Sequence, residues 1–206
     1  MTDSYQVPAE QVVFEETIKR SRFITVIDRI NNSADVKPWL AKQRLAYPDA
    51  RHYCWAFIAD KPGSTMHMGA SDDGEPSGSA GRPMLACLQG SGIGYLVAVT
   101  IRYSGGVKLG VGGLVRAYGG GVKQALARLK TESVRVLAYA DIVVDYDDVK
   151  TVQHLFKQFD AELLSQDYGH QVKLRFGLTP KDCGGFELEL TNLTQGRVSV
   201  TFDDEQ

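Results

Sequence analysis

Cysteine is scarce in this chain, with three in 206 residues, at Cys54, Cys87 and Cys183. They are odd in number, far apart, and without Cys-x-x-Cys or His-rich spacing, which argues against a disulfide framework and a structural zinc site. Long apolar runs are missing as well. No stretch approaches the ~20 residues of a membrane helix, and the start, Met1 to Pro8, lacks a basic segment followed by an apolar one. Neither a membrane span nor a secretory leader is expected, so the reading is a cytoplasmic protein with reduced thiols. Charge of one sign is not in excess. Lys and Arg number 23 against 25 Asp and Glu, a net charge of -2. No global field draws such a chain to nucleic acid or an anionic membrane, and any basic site must be local.

Glycine, by contrast, is concentrated. Fifteen of the 21 glycines lie between Gly69 and Gly121, among Asp72-Asp73-Gly74-Glu75-Pro76, Gly81-Arg82-Pro83-Met84, Arg102-Tyr103-Ser104-Gly105-Gly106 and Gly110 to Arg116. Glycine costs backbone entropy and packs nothing, so this density belongs where the backbone takes positive φ or comes close to something. Function is to be sought there.

The length admits one large domain or two small ones. At the C-terminal side, Ile142, Val144 and Tyr146 alternate as a strand over 138–146. Val149, Val152, Phe156 and Phe159 then make the stripe of a helix over 148–161. A hairpin over 162–178 turns at Gly169-His170. Thr179-Pro180 opens a second helix carrying Cys183, Phe186, Leu190 and Leu193, with Gly196 past its end. A strand at 197–202 completes βαββαβ, the ferredoxin-like split unit. Residues 138–206 therefore read as a small α+β domain, with the boundary near Leu137.

The front half, 1–137, is also α+β. Paired strands are expected at 12–17 and 22–29, and a helix over 35–46 with Pro38 in its first turn. Near-continuous apolar runs at 52–59 and 95–103 mark central strands buried on both faces. A strand at 66–71, a loop over 72–80, a short helix over 82–88 and a longer one over 114–130 fill the rest.

The glycines before Leu114 resemble a loop presenting free N–H groups at a helix N-terminus, where the dipole favours an anion. Neither dinucleotide nor P-loop spacing occurs, and no lysine follows Gly113 to grip a terminal phosphate. In the long helix, Arg116, Lys123 and Lys130 share an exposed stripe, and Gly119-Gly120-Gly121 calls for close packing or a ligand on bare backbone. Asp72, Asp73 and Glu75 lack EF-hand spacing, so loop ordering by ion pairs with Arg82 or Arg102 is preferred to metal binding. His52 and Cys54 are near in sequence, but no nucleophile elbow exists and nucleophilic catalysis has little support.

Lys19 to Ile24, Ala50-Arg51-His52, Ser71 to Leu85, Arg102 to Gly106 and Leu109 to Gly121 together resemble the IMPACT family, in its bacterial YigZ type. The likeness spans the chain and is strongest over 12–130. It implies a ribosomal protein S5 domain 2-like N-terminal domain and a ferredoxin-like C-terminal domain, a pair also found in elongation factor G, hence contact with RNA or the ribosome. It brings no enzyme activity. Eukaryotic relatives restrain a starvation-responsive kinase through an additional RWD domain; this chain starts directly at the IMPACT domain, so that mechanism is not carried over. Ser104 departs from the second tyrosine common in the family, weakening a possible stacking platform.

The expectation is a cleft in the first domain that binds structured RNA or a phosphorylated ligand, with a role in translation. Arg22, Arg51, Arg82, Arg102 and Arg116 are the candidate phosphate contacts, beside the backbone of Gly105, Gly106, Gly112 and Gly113. Asp72, Asp73 and Glu75 would position the arginines, and His52 would hydrogen-bond in the cleft. No catalytic residue, metal or cofactor is assigned, and no membrane or sequence-specific DNA partner is expected. The alternatives are a phosphoester- or nucleotide-binding enzyme using the acidic loop with Mg²⁺, and a module docking on a translation factor.

Overall fold

The computed structural model describes residues 4–203. The chain divides into two compact units between Val134 and Arg135.

The front unit is built on a five-stranded sheet of order β2-β3-β6-β4-β5, with β2 Val12–Ile18, β3 Ser21–Arg29, β4 His52–Ile58, β5 Met68–Ser71 and β6 Leu96–Tyr103. Every pairing in it is antiparallel. β6 is central and buried from Leu96 to Arg102, which is why its sequence runs apolar without alternation: both faces are covered. Phe23, Cys54, Ala56 and Ala98 meet helices α2 (Gly81–Gln89) and α3 (Val111–Leu126). On the other face Ile24, Val26, Val97, Val99 and Ile101 meet Val36 and Trp39 of α1 (Val36–Ala46).

Three features depart from the sequence pattern. Helix α3 starts at Val111 and ends at Leu126, not 114–130. Gly110, at φ 74°, turns the chain into the helix, and burial of Leu114, Ala117 and Tyr118 carries Gly112 and Gly113 into its first turn despite their low propensity. β1 (Ser4–Pro8) and β7 (Thr131–Arg135) form a separate two-stranded sheet. They escape pattern reading because β7 is almost wholly exposed and lacks apolar alternation.

The back unit runs β8 (Ala138–Val144), α4 (Val149–Gln158), β9 (Glu162–Tyr168), β10 (Val172–Leu178) and α5 (Pro180–Leu193), with antiparallel order β8-β10-β9. Its core gathers Ile142, Val152, Phe156, Phe176, Phe186 and Leu190. The strand expected at 197–202 reduces to one bridge, Ala140 to Phe202. Val198 and Val200 are nonetheless buried, so their alternation reflects packing against the core without a ladder. Among the described residues no helix is long and apolar enough to cross a membrane.

Candidate functional site

Register brings both glycine loops to one end of the front sheet. Arg22 at the start of β3 lies opposite Tyr103 at the end of β6, and His52 at the start of β4 lies opposite Arg102. The chain leaves β5 into the 72–80 loop and α2, and leaves β6 into the 104–110 loop and α3. Two helix N-termini therefore begin at the same end of the sheet.

The acidic loop is consumed from within. Asp72 Oδ1 accepts from the backbone N–H of Ala80 (2.9 Å) and Gly81 (2.8 Å), and Oδ2 from Gly78 (2.7 Å), so a carboxylate fills the N-terminus of α2. Burial opposes its charge, but these three donors and Arg82 outweigh it and hold its carboxyl below the usual range. Asp73 Oδ2 accepts the Tyr53 amide at 2.7 Å, and its carboxylate pairs with Arg44 at 3.1 Å. Glu75, with a side chain 4% exposed, accepts from Arg102 Nη1 at 2.6 Å and the Tyr118 hydroxyl at 2.8 Å. Among the described residues no group of three or more His, Cys, Asp or Glu could hold a metal ion. The three carboxylates serve three separate sets of donors.

His52 sits beside this network. Its Nδ1 is 2.9 Å from the Asp73 carbonyl, which can only accept, so Nδ1 carries the proton and Nε2 faces Glu75 Oε1 at 4.0 Å. A Cβ at Gly74, where φ is 84°, would meet the His52 ring at 3.4 Å. Burial pushes the Cys54 thiol up to about 12, and its S–H donates to the Asp72 carbonyl at 2.9 Å. The phenol of Tyr118 is raised by the same burial.

The expected phosphate contacts divide accordingly. Arg102 does not face solvent: the residue is 8% exposed, its charge is opposed by Glu75, and Nε is buried and unpartnered. Its alternation with Thr100 and Ala98 turns it towards the helices, so it organises the loop from inside. The Gly105 N–H is also taken, by Ser21 Oγ at 3.2 Å. Arg22 is exposed but held by Glu15 at 2.7 and 2.9 Å, over the Tyr103 ring. Arg51, Arg82 and Arg116 are exposed, as are Gly106 and Gly112, while Gly113 is half-buried. No side chain caps α3, and the amides of Val111, Gly112 and Gly113 meet no acceptor among the described residues.

The glycines inside α3 have three different surroundings. An added Cβ at Gly121 would come 2.7 Å from Thr25 Oγ1, and one at Gly119 would touch Pro83 and Cys87 of α2 at 3.6 and 3.7 Å. A Cβ at Gly120 would meet nothing within 4 Å among the described residues, although a helix-interior glycine costs about 1 kcal/mol relative to alanine. It opens instead on a groove of about 290 Å³ that also takes in Glu16, Lys19, Arg116 and Gln124. Of these, sequence reasoning found Arg116 and missed Glu16, Lys19 and Gln124; the unexplained triple glycine was the signal pointing at them.

The arrangement defines a two-domain α+β protein whose front domain orders its glycine loops with internal carboxylates and leaves a helix N-terminus and several cations outward. Known proteins agree on what it is. The Impact N-terminal domain matches residues 19–126, and Domain of unknown function (DUF1949) matches 142–197. An IMPACT family member of Haemophilus influenzae is 44% identical, with 95% of each chain covered. The IMPACT family member YigZ of Escherichia coli is 39% identical over 98% of this chain and 100% of its own. A solved structure described as a hypothetical protein superposes with a TM-score of 0.75 at 39% identity, covering 100% of both chains. The chain belongs to the IMPACT family and is of the YigZ type.

Proposed function

We propose that this protein is a non-enzymatic, cytoplasmic RNA- or ribosome-associated factor with a role in translation. RNA phosphate is received at the end of the front sheet where the glycine loops meet. In the same reading the front domain, 1–137, is ribosomal protein S5 domain 2-like and the back domain, 138–206, ferredoxin-like. The order β8-β10-β9, with Phe202 bridging to the free side of β8, supports the second assignment.

The observation that carries the functional reading is the uncapped start of α3. Its first amides lack acceptors among the described residues, the carboxylates of Asp72, Asp73 and Glu75 are engaged elsewhere, and Arg116 stands exposed one turn in. Donors without acceptors and a helix dipole attract an anion, and nucleic-acid backbone needs only such N–H groups and nearby arginines. Arg51 and Arg82 are exposed contributors; Arg102, Asp72, Asp73, Glu75 and His52 hold the loops in place. Sedimentation of cell lysate with and without nuclease tests this. The protein is expected to travel with ribosomes and to be released by nuclease. Failure to sediment, or sedimentation unaffected by nuclease, would overturn the reading, the latter in favour of docking on a protein.

A further inference from the structure

The groove beside Gly120 carries a more specific conclusion. Ile18 and Leu109 supply apolar surface, Ala117 and Gly120 form part of the α3 wall, and Lys19 and Arg116 bring two positive charges to the lining. Packing does not explain Gly120, since an added Cβ would meet nothing within 4 Å. What a side chain there would occupy is the groove itself.

A second observation comes from the turn between β2 and β3. Lys19 and Arg20 both have positive φ, 45° and 65°. Two-residue turns of this kind ordinarily use Asn-Gly, because side chains strain that backbone. Here two long cations are kept instead, and the turn is pinned from beneath by Gly105, where an added Cβ would overlap the Arg20 carbonyl. Strain maintained by its surroundings points to a functional site. The turn presents Lys19 at the groove.

Glu16 supplies the third. It lies on the face of β2 shared with Phe14 and Ile18, which pack on the core, and it has no hydrogen-bond donor among the described residues. Burial pushes its carboxyl up. A pair of N–H donors delivered by a ligand would relieve that cost. Among the nucleobases, guanine alone offers two adjacent N–H donors, N1–H and N2–H, on its Watson–Crick edge. The small volume suits one nucleotide and no more.

We propose that this groove binds one guanine ribonucleotide, with the base between Ile18 and Leu109, its N–H edge on Glu16, and phosphate at Lys19, Arg116 and the first turn of α3. The proposal rests on the phosphate-binding reading above and names the ligand of the same surface. Guanine ribonucleotide can come free or within single-stranded RNA, and the experiment separates the two.

Calorimetry with 5′-GMP, 5′-AMP and 5′-UMP would be run beside a uridine oligonucleotide with and without one guanosine. The full-length protein is expected to prefer 5′-GMP over 5′-AMP by about tenfold, the worth of one bidentate carboxylate pair. Glu16→Gln should bring that ratio close to one. Gly120→Leu should abolish 5′-GMP binding without lowering the Tm, because it replaces a helical glycine in open space. A gain from the single guanosine identifies RNA as the source; 5′-GMP binding without that gain identifies the free nucleotide. Equal or absent binding of the three nucleotides, or undiminished 5′-GMP binding by Gly120→Leu, would overturn the proposal. The salt dependence of the all-uridine oligonucleotide would still decide the general RNA reading independently.

Discussion

Replacing Glu75 with alanine should cost the front domain a large part of its stability. The carboxylate is 4% exposed and the Arg102 side chain 10%, so solvent does little to screen or replace the pair. Its removal takes the acceptor from Arg102 Nη1 and from the Tyr118 hydroxyl, and Arg102 Nε is already unpartnered. Breaking a buried pair from one side costs about 3–5 kcal/mol, and an orphaned hydroxyl adds about 1–3 kcal/mol, not fully additively. A loss of about 4–6 kcal/mol is expected, against a total of about 5–15 kcal/mol for a natural domain. Both tryptophans, Trp39 and Trp55, belong to the front unit, so their fluorescence during urea denaturation reports that unit specifically. Glu75→Leu combined with Arg102→Met removes both charges, and should be less damaging than Glu75→Ala alone. A single-variant loss below about 1 kcal/mol, or a double variant as unstable as the sum of its parts, would refute the claim that this pair anchors the loop.

Adjacent glycines of α3 should respond in opposite directions. Gly120→Ala, in open space, should gain about 1 kcal/mol by the same denaturation, whereas Gly121→Ala should lose stability because its Cβ would press on Thr25 Oγ1 at 2.7 Å. Asp72 should stabilise the fold in a pH-dependent way. Its folded carboxyl is held below the unfolded value, so its contribution is fully present above the ordinary range near pH ~4 and drains away as pH falls towards the folded value. Asp72→Asn should therefore be less stable than the parent at neutral pH, with the gap narrowing in acid; a gap constant down to pH ~2 would contradict the linkage. Cys54, buried and pushed up to about 12, should react with a thiol reagent no faster than the front unit unfolds, and rapid labelling of the native protein would contradict its place in the core.

Regular elements were legible wherever burial imposed a period. The apolar run of β6 and the alternation of β10 predict their strands to within a residue, because each has a face or faces closed by helices. Where burial is partial the sequence says less. Thr131–Arg135 carries almost no apolar residues, and its pairing with Ser4–Pro8 is set by backbone hydrogen bonds that composition does not display. The start of α3 was hidden for a related reason: Gly112 and Gly113 look like loop, yet the contacts of Leu114, Ala117 and Tyr118 extend the helix over them. At the candidate site, glycine density marks the end of the sheet where the two loops meet. It did not say which charges face inward. Arg102 was readable in hindsight from its parity with Thr100 and Ala98, while Glu16 and Lys19 become part of a groove only through the β2–α3 juxtaposition.

The most direct test of the central claim is the salt dependence of single-stranded RNA binding by the full chain and by Arg116→Ala. If the uncapped start of α3 and its neighbouring cations receive phosphate, log Kd should rise with log salt, at a slope of about 0.7 per phosphate contacted, and Arg116→Ala should lower that slope by about one such contact. Binding indifferent to salt, or a slope unchanged by Arg116→Ala, would contradict it.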